Sequence, residues 1–383
     1  MAAMLKIIFW VSVGVIGYAY VGYPVLIFLL SSLFKKEVRK GSGYAPGISI
    51  IICAFNEEKV IREKLENTIG LDYPPDKKQI VVVADGSTDK TRTICEEYAG
   101  RVTLMWAPER RGKVHAMNRG IGAAKGEIIL FTDANSFPGK AALSLAAQYF
   151  ADPEVGGVSG EKQVISRKGE GADGEGLYWK YESFLKKCDS AFYSLVGAPG
   201  EFFAVRKELY EDPGQDALIE DFIVSMRVAM KGCRIVYAPE IVATEMGVMS
   251  KRDEFVRRRR ITAGGVQSVL RLAGLWNVAK YGRLSFSYIS HRVLRWVVTP
   301  FLFPLMFAVS AALLFMNPHG FYLLAFAAQI IFYGLALAGL REGRRNRLVA
   351  MCFQVCFLNF SALAGFYRYI TDTQPILWEK AAR

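Results

Sequence analysis

The chain has 383 residues, more than one hydrophobic core of about 250–300 residues normally holds, so an element beside one large domain is expected. A hydrophobic content of 52%, with the apolar residues gathered at the two ends, excludes an ordinary soluble protein. The formal net charge of +12 raises nucleic acid as a partner, but the basic residues sit beside the apolar ends, where anionic lipid headgroups account for them; membrane lipids and no nucleic acid are expected.

Ile7–Phe34 is an uncharged run longer than the roughly 20 residues that cross a bilayer. It exceeds the h-region of a signal peptide, and no small-residue cleavage site precedes the basic cluster Lys35, Lys36, Arg39, Lys40, so residues 1–40 read as a retained anchor.

Residues 41–250 read as an α/β domain with a mostly parallel, Rossmann-like sheet. Gly47–Cys53 and Gln79–Ala84 are Ile- and Val-rich strands, and Ile61, Leu65 and Ile69 lie between them at helical spacing. Asp85-Gly-Ser-Thr-Asp89 breaks the second strand, and Asp89 suits the N-cap of a helix carrying Ile94, Cys95 and Tyr98. Arg101–Trp106 and Glu127–Thr132 supply two more strands, the latter ending in Asp133. Asn56, Asp85 and Asp133 thus fall at carboxyl ends of strands, where open α/β sheets bind ligands. Lys168–Gly176 reads as a Gly-rich loop. Glu220-Asp221 opens a helix with Phe222, Met226, Ala229 and Met230 on one side and Gly232 as its stop.

Residues 251–292 form a basic amphipathic segment suited to a membrane interface, and residues 293–383 a transmembrane region with uncharged runs at Trp296–Met316, Gly320–Leu340 and Leu348–Tyr367. The basic clusters Lys35–Lys40, His291–Arg295 and Arg341, Arg344, Arg345, Arg347 lie together in the cytosol if the Asn317–His319 turn faces outward. A full crossing by Leu348–Tyr367 then leaves Arg368, Lys380 and Arg383 outside; a re-entrant or interfacial last segment is the alternative. The six cysteines show neither zinc spacing nor a disulfide framework.

Five motifs in order, Cys53-Ala-Phe-Asn-Glu57, Val83-Ala-Asp85-Gly-Ser-Thr-Asp89, Gly112-Lys113-Val-His-Ala-Met-Asn118, Thr132-Asp133-Ala-Asn135 and Glu220-Asp221, resemble those of membrane-bound family 2 inverting glycosyltransferases, relatives of cellulose, chitin and hyaluronan synthases. The resemblance implies a GT-A nucleotide-diphosphosugar transferase domain between an N-terminal transmembrane helix and C-terminal ones. It implies that Asn56, Glu57 and Asp85 line the donor site, that Lys113 in its basic loop meets the diphosphate, and that Asp133 with Asn135 holds a divalent cation, Mg²⁺ or Mn²⁺, against it. Alternation in an extended segment would put Asp133 and Asn135 on one side, and hard cations take oxygen ligands. Asn135 departs from the family's second Asp, giving a neutral ligand.

Gly197-Ala-Pro-Gly200-Glu201 resembles the segment shaping the acceptor side, Asp221 the general base, and Glu220 its neighbour in the substrate site. Arg257 and Arg260 stand where polymerising synthases carry the Gln and Arg of Gln-x-x-Arg-Trp, with Ile261 in place of the Trp. The expected activity is transfer from a nucleotide sugar, UDP-linked by resemblance, to a lipid-linked or growing glycan acceptor. The catalytic domain is expected on the cytosolic face of the inner or plasma membrane. A processive synthase, in which a homo-oligomer could enclose the channel, a polyprenyl-phosphate glycosyltransferase and a nucleotide-sugar-binding scaffold are the alternatives.

Overall fold

A computed structural model describes residues 1–165, 172–246, 251–316, 320–340 and 346–377. The chain divides into two units: Met1–Leu33, Lys168–Leu185 and Ser250–Gln374 form the first, and Phe34–Arg167, Lys186–Met249 and Pro375–Arg383 the second. The Asn317–His319 turn, Arg341, Arg344 and Arg345, and Lys380 and Arg383 lie outside the described residues.

In the second unit eight described strands form one sheet: β1 (Ile48–Ala54), β2 (Lys78–Asp85), β3 (Thr103–Ala107), β4 (Ile128–Phe131), β5 (Ser136–Pro138), β6 (Val155–Ile165), β7 (Phe203–Arg206) and β8 (Arg234–Met246). Their order is β3-β2-β1-β4-β7-β6-β8-β5. The β3-β2-β1-β4 half is parallel, as a βαβ reading requires, whereas β7 runs antiparallel to both β4 and β6, making the whole sheet mixed. Helices α1 (Ile61–Ile69), α2 (Thr91–Glu96), α3 (Lys113–Ala123), α4 (Ala142–Tyr149) and α5 (Glu220–Met230) accompany it.

Alternation along β1 and β2 sorts their side chains between two layers. Ile48, Ile50, Ile52 and Val82 pack with Ile61 and Leu65 of α1, while Val81 and Val83 pack with Ala116 of α3. Each fully buried Ile or Val contributes roughly 1.5–3 kcal/mol. A β-carbon on Gly120 would stand 2.7 Å from Ile51 Cγ2, so α3 lies hard against the sheet. That contact sets the start of α3, and hence Lys113, beside the carboxyl ends of β1, β2 and β4.

The first unit holds, among the described residues, four helices long and apolar enough to cross a membrane: Ala2–Leu33, Arg283–Met316, Gly320–Ala338 and Arg347–Ile370. Ile7, Trp10, Phe28, Leu324 and Phe360 lie exposed along them, as lipid-facing side chains would. The second of these helices begins well before the expected Trp296. At 1.5 Å per residue it is about 50 Å long, against about 30 Å of hydrocarbon, so its polar start lies beyond the apolar span. There His291, Arg292 and Arg295 converge on buried Glu182, with Arg295 Nη2 2.6 Å from Glu182 Oε1. The expected Gly-rich loop is helical from Ala172, the first residue of the Ala172–Phe192 helix that carries Glu182.

Candidate active site

The site starts with two strand ends. β2 stops at Asp85-Gly86, where Gly86 adopts φ +67° and a β-carbon would meet Arg110 N at 2.5 Å, so only glycine fits this turn. The turn brings the Arg110–Gly112 loop over Asp85. The Asp85 carboxylate accepts from Arg111 N at 3.1 Å and Gly112 N at 2.7 Å, fixing the residues that lead into Lys113.

Asn56 holds the other side of the turn. It has φ +53°, and its Oδ1 accepts from Thr88 N at 2.8 Å, so the observed bonds of Asn56 shape the turn. Asp89 Oδ1 accepts from Thr91 N at 2.9 Å, but the N-cap of α2 is Lys90 rather than the expected Asp89, and buried Glu57 donates its backbone N–H to Thr91 Oγ1. Arg110 stacks on Phe55 with 3.7 Å between guanidinium carbon and ring centroid. Phe55, Glu57, Asp85, Arg110, Lys113, Asp133 and Asn135 line one cleft.

Asp133-Ala134-Asn135 is a turn rather than the extended segment expected: Ser136 N donates to Asp133 O at 3.1 Å, bending the chain from β4 into β5. The Thr132 and Ser136 hydroxyls both donate to the Glu201 carbonyl and hold the bend. Asp133 and Asn135 nonetheless line one cleft. Asn135 Nδ2 donates to Glu245 Oε1 at 2.6 Å, which leaves its Oδ1 unspent by that bond. Among the described residues no three His, Cys, Asp or Glu side chains could hold a metal between them. One carboxylate and one amide oxygen do fit a hard cation that takes its other ligands from a bound diphosphate and water.

Lys113 is the hub. Its Nζ lies 2.8 Å from Asp133 Oδ1 and 2.8 Å from Glu220 Oε1. Burial works against its charge, yet the carboxylates of Asp133, Glu220 and Asp221 outweigh burial and hold it well above the ordinary lysine value. Asp221 is the second residue of α5, and its Oδ1 accepts from Phe222 N at 2.8 Å. A β-carbon on Gly200 would lie 3.3 Å from both Asp221 Oδ2 and Lys113 Nζ and 3.7 Å from Asp133 Oδ2. Asp221, Lys113 and Asp133 therefore meet within one side chain's breadth, at a second, narrow cleft that Glu220 also lines and that shares Cys53, Lys113 and Asp133 with the first.

Burial, and then the charge of Glu220, push the Asp221 carboxyl up to about 8 against the opposing pull of Lys113. A base must be deprotonated to act. If Asp221 fills that role, kcat/KM is expected to rise with pH and level off above about 8, and a profile already flat from pH 5 would remove Asp221 from it.

Arg257 and Arg260 lie on the Lys251–Arg271 helix of the first unit, where Arg257 Nε pairs with Glu254 at 2.8 Å. Three charged residues, Lys162, Glu245 and Lys64, escaped the sequence reading. Lys162 bridges Glu201 and Glu245; burial opposes ionisation of Glu201, but Lys162 outweighs it and holds that carboxyl down to about 2. Lys64 lies under the Asp133 turn, where burial, partly countered by Asp133, lowers it to about 7. Its signal was available: the helical spacing of Ile61, Leu65 and Thr68 puts Lys64 on the apolar face of α1.

Residues 49–213 match the family model described as Glycosyl transferase family 2. The chain carries a family 2 glycosyl transferase domain. Its relatives include the probable glycosyltransferase YdaM of Bacillus subtilis, 27% identical over 66% of this chain and 64% of that one. The poly-β-1,6-N-acetyl-D-glucosamine synthase of Staphylococcus aureus is 26% identical over 65% of each chain. The chain thus spans just under two thirds of the length of these curated relatives. Among solved structures, the mannosyltransferase PcManGT from Pyrobaculum calidifontis, in complex with GDP-mannose and Mn²⁺, is 25% identical with a TM-score of 0.74, over 96% of this chain and 100% of that one. The glycosyltransferase fold expected from the motifs is therefore the fold observed, with apolar helices at both ends.

Proposed function

We propose that this protein is a membrane-bound inverting glycosyltransferase that moves a sugar from a nucleoside-diphosphate donor to a lipid-linked or glycan acceptor on the cytosolic face. The observation that carries the reading is the meeting of Asp133, Lys113, Glu220 and Asp221 around Gly200. Groups for donor charge and for the acceptor proton thus sit side by side at one point. Asp85, Phe55 and Arg110 offer a carboxylate and a stacked surface for base and ribose, and Lys113 offers a cation for the diphosphate. Asp133 and Asn135 would hold a divalent cation, which supplies counter-charge to the departing diphosphate. Asp221 takes the acceptor hydroxyl's proton as that oxygen attacks the anomeric carbon, and the glycosidic C–O bond to phosphate breaks on the opposite face. The basic clusters beside the spanning helices support the cytosolic placement.

The full-length likeness to an enzyme holding GDP-mannose makes that donor the first to assay, with UDP-sugars, suggested by the motifs, as the second. The test is release of nucleoside diphosphate by purified protein given membrane lipid extract, Mn²⁺ and each donor in turn. No acceptor-dependent release from any donor would overturn the proposal.

The curated poly-β-1,6-N-acetyl-D-glucosamine synthases among the relatives favour a second reading, polymer synthesis. Against it stands Ile261, which lacks a planar ring on which a sugar could stack. We expect labelled products of one or a few added sugars. High-molecular-weight polymer appearing before short products would favour the synthase reading instead.

A further inference from the structure

Lys64 is fully buried, and its partners are a hydroxyl and a carbonyl: Nζ donates to Thr132 Oγ1 at 2.8 Å and to the Ser136 carbonyl. These residues immediately precede and follow Asp133-Ala134-Asn135. Both hydroxyls, of Thr132 and Ser136, donate in turn to the Glu201 carbonyl at 2.9 and 3.1 Å, and Glu201 follows Gly200, against which Asp221 and Lys113 lie. One buried amine thus ties the cation-side turn to the segment beneath the base. An apolar side chain of similar length would fill the same space without burying a polar group. The position of the amine, bracketing the turn, gives it something to do that packing does not require.

We propose that Lys64 is a positioning residue: it fixes the Asp133–Asn135 turn in the shape that presents Asp133 and the Asn135 amide oxygen to a donor-bound cation, without touching the donor itself. The inference rests on the glycosyltransferase reading above. It predicts that loss of Lys64 weakens cation-dependent nucleotide binding selectively, because the fault lies in the aim of two ligands and not in the pocket for base and ribose. If the amine served only to stabilise the core, its loss would lower the melting temperature and leave nucleotide affinity, per folded molecule, where it was.

The experiment compares full-length wild type, Lys64→Met and Thr132→Val by calorimetry with GDP and UDP, each with Mn²⁺ and with excess chelator, together with donor KM and kcat. In Mn²⁺ the Kd of Lys64→Met is expected to rise at least about tenfold and KM with it. The Kd in chelator should stay within about threefold, and any fall in kcat should come through the cation and not through the base and ribose pocket. Thr132→Val should shift in the same direction, and the double variant should be no worse than Lys64→Met alone, since the two act as one unit. Unchanged Mn²⁺-dependent affinity in either folded variant overturns the proposal, whatever the melting temperature does; if Lys64→Met does not fold, Thr132→Val decides. Wild type without any cation-dependent nucleotide binding would overturn the glycosyltransferase reading as well, whereas normal wild-type binding with unaffected variants removes Lys64 alone.

Discussion

Replacing Asp221 by asparagine is expected to lower kcat by about 10²- to 10⁴-fold, the usual worth of a general base, while nucleotide affinity stays within about threefold. Asparagine keeps the shape of the carboxyl and its acceptor for Phe222 N–H, so α5 should begin as it does now. It cannot take the acceptor's proton. Because Asp221 is held up to about 8, the wild-type site at neutral pH is already largely protonated there, and the amide resembles that resident state more than a carboxylate would. Donor binding is therefore the property least disturbed. Steady-state rates and calorimetry on the same preparation check both halves; a variant retaining most of its kcat moves the base elsewhere, with Glu220 the first candidate.

The second large effect is expected at Asp133. Asp133→Ala should abolish Mn²⁺-dependent binding of GDP or UDP, raising Kd at least about 100-fold, because the diphosphate loses the carboxylate that holds its counter-cation. The same change frees Lys113 from one of its two carboxylate partners, so affinity in chelator should hold or improve as Lys113 turns to the phosphates. Opposite movements with and without Mn²⁺ separate loss of a metal ligand from general collapse of the pocket. Equal affinity for wild type and variant in Mn²⁺ would take the cation away from Asp133.

The parts of this arrangement that were legible in the sequence are those where strand and turn chemistry change abruptly. Val81–Ala84 ends in Asp85-Gly86 and Ile128–Phe131 runs into Asp133, so each carboxylate is fixed by the end of an apolar run. The helix from Glu220 could be read from Phe222 and Met226, with Gly232, at φ +90°, just beyond its last turn. The return strands β6, β7 and β8 were harder, because direction and order depend on pairing partners far away in sequence, and the antiparallel β7 makes the sheet mixed. The Asp133–Asn135 bend is held by the Glu201 carbonyl, which no local pattern reveals. The start of the second spanning helix was missed for a related reason: His291, Arg292 and Arg295 look like a solvated cluster until Glu182, more than 100 residues earlier, supplies their counter-charge.

The account's central claim is a single displacement at the anomeric carbon, with Asp221 as base and the diphosphate leaving on the far face. The most direct measurement is the anomeric configuration of the first sugar transferred, read by proton and carbon NMR on product made by purified wild-type protein from a donor of known configuration. The account predicts inversion in every product molecule. Retained configuration would contradict it, because retention requires a second displacement or a front-face route in which Asp221 has no part as the acceptor's base.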